Sequence, residues 1–286
     1  MMKLCDLHAH SIYSDGTSTP AELISLAKEA GLCAIALTDH NTVSGIPHFL
    51  SAAENSGVIA VPGIEVSSDY LGNELHIVGL FKTLDHLEEV EQYVAAYLER
   101  KEQSNIDLCA NLCAAGYEVS YQKIKAATPD GTVNRALIAA ELLRHGYVES
   151  IKAAFGTLLS KKGGYYHEPQ KLDAFEVIGK LQEFGAIPIL AHPFLSLDEA
   201  QLHAFLPRAK DAGLVGMETD YSTFDAQTTA LAHALADQYG LIPSGGSDYH
   251  GTNKPDIRVG IGKGTLAVPF AYYQNLTTKK TPRGGR

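Results

Sequence analysis

Short apolar runs alternate with longer amphipathic stretches along most of the chain, and this pattern predicts strand followed by helix. "KLCDLHAH" reads as a strand whose end carries His8 and His10. "STPAELISLAKEAG" has helical spacing, with Thr19 as N-cap, Pro20 at the first helical position, Glu22 completing a capping box and Gly31 as the stop. "CAIALTDHN" follows as a buried strand ending in Asp39 and His40. "VSGIPHFLSAAENSG" predicts a helix, although Pro47 weakens it. "VIAVPGIEVS" and "ELHIVGLF" are further strands, holding Glu65 and His76. In the second half, "AIPILAHPF" is a strand ending at His192 and Pro193, and "LVGMETDYS" is another. "YGLIPSGGSDYHG" is a strand running into a glycine-rich turn with Asp248 and His250. Helices are expected between these strands at about 172–185, 198–212 and 225–239.

Strand and helix in alternation imply an α/β class with a parallel sheet, closed into a barrel. Residues at the C-terminal strand ends of such a barrel face one mouth. The stretch from 86 to 168 breaks the rhythm. "LDHLEEVEQYVAAYLERKEQSNIDLCANLCAAGY" predicts one or two helices with a charged face, and "NRALIAAELLRHGY" another, ending near Gly146. The expected organisation is a discontinuous barrel domain (1–85 and 169–275), a small helical insertion domain (86–168) and a flexible tail (276–286).

Composition narrows the class. Hydrophobic residues make up 45% and charged residues 20% of the 286, as in ordinary globular proteins. No apolar run reaches the ~20 residues that span a bilayer. No basic segment leads into an apolar stretch at the N-terminus, so a cytoplasmic protein is expected. Cys109 and Cys113 are four apart, without a second pair at zinc-site spacing. They and Cys5 and Cys33 read as buried free thiols in a reducing compartment. A formal net charge of −10 argues against a broad basic surface for duplex DNA. An anionic substrate is still compatible with that charge if bound divalent metals neutralise carboxylates in the site.

The chemistry is concentrated at the strand ends. Of twelve histidines, six lie there: His8, His10, His40, His76, His192 and His250. Asp15, Asp39, Glu65 and Asp248 join them. Taken singly, each has an ordinary reading: "SDG" is a common turn, and an acid such as that in "TDH" often caps a helix. Ten at the same ends of successive strands require a common cause. Imidazole with carboxylate suits Mn, Fe and Zn. The number of ligand-type residues exceeds the three or four that one catalytic zinc takes, so two or three divalent ions are expected.

"DLHAHSIYSDG", "LTDHN", "GIEVS", "ELHIVG", "AHP" and "GSDYH", in this order, resemble the PHP family, the polymerase and histidinol phosphatase metal-dependent phosphoesterases. The resemblance covers the first eighty residues and much of 170–255. It implies a distorted seven-stranded (β/α)7 barrel with a trinuclear site. It places His8, His10, Glu65 and Asp248 on one metal, Glu65, His76 and His192 on a second, and Asp15, His40 and His250 on a third. It also implies that a hydroxide shared between metals is the nucleophile, and that Asp39 orients an imidazole. His40, His192, His250 and Asp39 are thereby the residues expected to carry the reaction. The leaving-group acid is open between an activated water and a site histidine.

The insertion resembles the branch of the family that acts on small nucleotides and RNA ends. Arg135, at the start of "NRALIA", suits bidentate phosphate contact. Asn134 and Leu137 stand where related sequences carry glycine and histidine. In "SKKGGYYHEP", Lys161, Lys162, Tyr165 and Tyr166 could meet a phosphate or a base, or form a hinge with solvated lysines. The other histidines, His48, His86, His145, His167, His203 and His233, read as surface or packing residues. The expected function is hydrolysis of a nucleoside 3',5'-bisphosphate or monophosphate, or of a short 5'-phosphorylated RNA. The partner is then a small phosphorylated substrate, with no membrane and no duplex DNA. One alternative is histidinol phosphate phosphatase. The other is a non-catalytic metal-binding PHP module acting as a protein partner.

Overall fold

Period-two alternation decides which side chains fill the barrel. The computed structural model describes residues 3–128 and 133–278. On β2 (Ala34–Leu37), Ala34 and Ala36 pack inward with Cys5, Val61, Val78 and Ile189. Ile35 and Leu37 pack outward with Leu23, Ala27 and Phe49, on α1 (Pro20–Glu29) and α2 (Ile46–Ala53). With both faces covered, the strand reads as an unbroken apolar run. Burying a side chain such as Phe49 contributes roughly 1.5–3 kcal/mol.

The α1 signals act as expected. Thr19 caps Glu22 N, Glu22 closes the capping box, and Gly31 takes φ +69 just past the end. Pro47 falls in the first turn of α2, where its missing N–H costs nothing, and the helix starts at Ile46 rather than at Val43.

Among the described residues, eight strands form one sheet in the order β7-β6-β5-β4-β3-β2-β1-β8. The remaining strands are β1 (Leu4–Asp6), β3 (Ile59–Tyr70), β4 (Asn73–Phe81), β5 (Ala186–Leu190), β6 (Gly216–Tyr221), β7 (Ile242–Gly246) and β8 (Val268–Pro269). Backbone bonds bring the ends of this sheet together: Leu7 N donates to Gly245 O and Asp248 N to His8 O, at 3.1 and 2.8 Å. The result is a nearly closed, distorted α/β barrel.

Two features differ from the expected seven parallel strands. β8 is a short eighth strand, antiparallel to β1. β4 runs antiparallel to both β3 and β5. The cause is the tight turn at Leu71 and Gly72, both at positive φ, which makes β3 and β4 a hairpin. Two residues cannot make the crossover that a parallel neighbour needs.

The closure depends on glycine. A Cβ on Gly246 would lie 2.4 Å from His8 Cβ and 2.5 Å from His8 N. Gly246→Ala is therefore expected to cost about 1–3 kcal/mol or more by overpacking, read as a lower urea midpoint. An unchanged midpoint would show that β7 does not press on β1.

Two compact units are present. One comprises the described residues up to Val94 and from Leu172 onward; the other is Ala95–Lys171. The boundary falls within α3 (Leu87–Ala114), a single 28-residue helix. The second unit continues with α4 (Tyr121–Ala127), α5 (Arg135–Arg144) and α6 (Ile151–Gly156) around Leu108, Leu112, Ile138 and Leu142. The barrel unit has α7 (Ala174–Glu183), α8 (Glu199–Asp211) and α9 (Ala226–Tyr239) between its later strands. It ends with α10 (Phe270–Thr278), in which Leu276 is fully buried. Residues 276–278, expected in the tail, are thus helical, and 279–286 lie outside the described residues. Cys113 is exposed, unlike the buried thiol expected there. Among the described residues, no helix is long and apolar enough to cross a membrane.

Candidate metal centre

Alternation along β3 puts Glu65 on the same inward face as Val61, and alternation along β4 puts His76 on the inward face with Val78 and Leu80. Neither residue ends its strand. Glu65 lies within β3, paired with Val78, and His76 lies near the start of the reversed β4. The reversal of β4 is what brings His76 to the end of the barrel where its parallel neighbours finish. His40 bridges in parallel to Glu65 just beyond β2. His8 and His10 follow β1, where His10 N donates to Tyr249 O at 2.9 Å. His192 and Asp248 both have positive φ, +28 and +53. Such backbone costs on the order of 1–3 kcal/mol per residue and persists where surroundings hold it.

Glu65 is the hub. Its Oε1 lies 3.0 Å from His76 Nδ1 and 2.9 Å from His192 Nε2. Its Oε2 lies 3.2, 3.3 and 3.0 Å from His8 Nε2, His10 Nε2 and His40 Nδ1. Asp248 Oδ1 is 3.2 Å from His10 Nε2 and 3.6 Å from His8 Nε2. Asp15 is 3.2 Å from His250 Nε2 and 3.8 Å from His40 Nε2. Three overlapping groups emerge: His8, His10, Glu65 and Asp248; His40, Glu65 and His76; and His10, Asp15, His40 and His250. Glu65 belongs to two of them, as expected, but so do His10 and His40, each expected on one metal; His40 stands with Glu65 and His76 where His192 was expected.

The donors fit divalent metal. Two atoms bonded to one ion at ~2.1 Å stand about 3.0 Å apart at a right angle and about 3.4 Å apart at a tetrahedral one. The contacts around Glu65 have this spacing. Hydrogen bonding accounts for the two contacts of Glu65 Oε1 but not for those of Oε2: among the described residues it has no hydrogen-bond partner despite three nearby imidazole nitrogens, and His10 Nδ1, His40 Nδ1 and His192 Nδ1 are likewise buried without one. His8 Nε2 and His10 Nε2 face each other at 3.1 Å, which aims two ring nitrogens into one space.

The electrostatics follow from burial opposed by charge. Burial acts to raise the Glu65 pKa, but His40, His8 and His76 hold its carboxyl well below the usual range. Asp248 is also held well below it, with His10 and His8 overcoming burial. Burial lowers the His10 and His76 pKa values, yet the carboxylates win. His10, beside Asp248 and Glu65, reaches about 9, and His76, beside Glu65, about 10. At His40 burial prevails and the pKa falls.

Four residues that the sequence reading left without a role hold the others in place. Glu218, from β6, accepts from His8 Nδ1 at 2.8 Å and from the His192 backbone N at 2.6 Å. It therefore does what was expected of Asp39, orienting an imidazole. Asp39 instead accepts from Ser11 N, Ser11 Oγ and Ser14 Oγ, each at 2.7 Å, and anchors the loop between His10 and Asp15. Tyr221 Oη and Lys254 Nζ both reach Asp248 Oδ2 at 2.6 Å. Asp6, fully buried, accepts from the backbone N of His8, Ser247 and Gly260. Glu218 sits in "METD", beside a second acid, Asp220, on the same strand, and its burial is visible only in the fold.

The proposed phosphate contacts lie in the second unit. Arg135 opens α5, capped by Asn134, and its guanidinium stacks 4.4 Å from the ring of Tyr166 and 5.4 Å from that of Phe155. Lys161 is paired with Glu168, and Lys162 is exposed in a short 3-10 turn. Tyr166 is buried beneath Arg135 rather than open to a base.

The family model for the PHP domain matches residues 6–176. A 5'-3' exoribonuclease of Haemophilus influenzae is 31% identical over 87% of this chain and 91% of its own length. A phosphoribosyl 1,2-cyclic phosphate 1,2-diphosphodiesterase of Eggerthella lenta is 32% identical over 86% and 94%. A 3',5'-nucleoside bisphosphate phosphatase of Chromobacterium violaceum is 28% identical over 89% and 90%. A solved structure from Bifidobacterium adolescentis, described as a putative metal-dependent phosphoesterase, superposes with a TM-score of 0.77 over 99% of both chains; at 23% identity it shows the fold. Fold, donor set and relatives together define a metal-dependent phosphoric ester hydrolase. The chain belongs to the PHP domain family.

Proposed function

We propose that this enzyme hydrolyses a phosphate ester of a small nucleotide, a nucleoside 3',5'-bisphosphate or monophosphate, or trims a short 5'-phosphorylated RNA. The observation that carries the chemistry is Glu65, one buried carboxylate facing five imidazoles from its two oxygens. Two or three ions of Mn, Fe or Zn suit this set, held by His8, His10, Asp15, His40, Glu65, His76, His192, Asp248 and His250. Bound there, such ions supply Lewis acidity and make water a nucleophile near neutral pH. The protein's own part is orientation. Glu218 fixes the His8 ring, Tyr221 and Lys254 fix Asp248, and Asp39 fixes the loop that carries Asp15. The nucleotide assignment is supported by the exoribonuclease and the bisphosphate phosphatase among the relatives. Four free cysteines support action in a reducing compartment.

A substrate panel tests the assignment. The metal-loaded enzyme is given adenosine 3',5'-bisphosphate, AMP, a 5'-phosphorylated RNA pentamer, phosphoribosyl 1,2-cyclic phosphate and histidinol phosphate. The kcat/KM for one of the first three is expected to exceed that for histidinol phosphate by at least about a hundredfold, a transition-state difference of ~2.7 kcal/mol. Preference for histidinol phosphate would overturn the nucleotide assignment, and preference for the cyclic phosphate would move it to ribose phosphodiesters.

A further inference from the structure

The loop between His10 and Asp15 is fixed from behind and bare in front. Besides the bonds to Asp39, Ile12 N donates to Ser18 O at 2.9 Å, Tyr13 N to Ser11 Oγ at 3.2 Å and Gly16 N to Ser11 O at 3.0 Å. Gly16 lets the loop close on itself, since a Cβ there would meet His10 O at 2.5 Å. On this rigid backbone two large apolar side chains face outward: Ile12 is 49% exposed and Tyr13 36%. The Tyr13 ring stacks on His48 of α2, with centroids 5.7 Å apart and planes 22° apart. Beside them opens a cleft of about 490 Å³, lined by Ile12, Tyr13, Pro20, Ala21, His48 and Ala52 together with Thr19 and Ser51.

Among the described residues, no Lys, Arg, Asp or Glu lines this cleft, so it brings no formal charge to a ligand. An aromatic face with aliphatic flanks is what a planar, uncharged ring binds. The chain limits its distance from the metal centre. At ~3.6 Å per residue at most, the Tyr13 Cα is within about 7 Å of that of Asp15 and about 11 Å of that of His10. A single nucleotide can span that separation, base at one end and phosphate at the other.

We propose that this cleft is the base subsite, with Tyr13 stacking on the base of a nucleotide whose phosphate ester is held at the metal centre. The proposal rests on the nucleotide reading above and deepens it. Ordering is already paid by Asp39, so an exposed aromatic on a fixed loop binds without having to be immobilised first.

Calorimetry on the metal-loaded protein tests it, with AMP and ribose 5-phosphate as probes, each as its non-hydrolysable 5'-methylenephosphonate, the second being the first without its base. The native protein is expected to bind AMP more tightly than ribose 5-phosphate. Tyr13→Ala is expected to weaken AMP binding by about 5- to 150-fold, the range for loss of one base–aromatic stack. Ribose 5-phosphate affinity should be unchanged, and Tyr13→Phe should retain AMP binding. His48→Ala provides a second variant, with a smaller loss on AMP alone. Equal weakening of both ligands by Tyr13→Ala would mean that the loop was distorted, and would overturn the proposal, as would no change in either. Turnover of nucleotides with equal affinity for the two probes would sink the subsite alone. A protein that hydrolyses no nucleotide or RNA would sink the functional reading itself.

Discussion

Removing bound metal with a chelator is expected to reduce phosphatase activity to background, and adding Mn, Fe or Zn to restore it. Full activity in a rigorously metal-free sample would refute the role given to the cluster. The pH dependence is a second, independent readout. Without metal, His10 with a pKa of about 9 and His76 at about 10 hold protons at neutral pH against Glu65 and Asp248. Both values are raised above the unfolded value of about 6.5. The stability these pairs contribute is thus complete below about pH 6.5 and is lost as pH rises through 9 and 10. Metal must displace the same protons, so its apparent affinity increases with pH and binding releases protons. Free metal at a hundred times its Kd adds ~2.7 kcal/mol to unfolding. The metal-induced rise in Tm should therefore grow between about pH 6 and pH 9 at fixed free metal. A constant increment, with no proton release in weakly buffered calorimetry, would contradict this assignment.

Glu65→Gln is expected to have the next largest effect. The side chain keeps its shape and loses the charge that faces His8, His10, His40, His76 and His192. Losing one preorganised electrostatic contact at a reacting centre costs about 10²–10³ in kcat, and Glu65 serves two groups at once, so a loss of at least about 10³ is expected. Bound metal per chain, read by elemental analysis, should fall with it. In the metal-free protein, removing one partner of a buried charged set costs on the order of 3–5 kcal/mol, limited here because the histidines can shed their protons. Glu74→Gln is the contrast: Glu74 is half exposed and 3.5 Å from His76 Nε2, so surface screening keeps its effect small. Similar losses for both variants would show that Glu65 is not the hub.

The sequence was most informative where chemistry is local. The capping box at Thr19 and the stop at Gly31 depend on residues a few positions apart. Period-two spacing also sends Glu65 and His76 to one face, whichever way their strands run. Roles set by partners far along the chain were not legible. The Glu218 bond to His8 joins residues 210 apart, and the Asp39 bond to Ser11 joins residues 28 apart. Nothing local told Asp39 from Glu218 as the acid that steadies an imidazole, because both are carboxylates at the barrel end.

By itself, then, the sequence determined which side chains could bind metal, which faces of the strands they occupy and where several helices start and stop. These follow from side-chain chemistry and the fixed geometry of strand and helix. The tertiary structure decided the rest: the reversal of β4 at Leu71 and Gly72, the positive φ of His192 and Asp248, and the approach of β7 to β1 over Gly246. Each of these depends on which segments lie side by side, and strand pairing and packing fix that only once the whole sheet has formed.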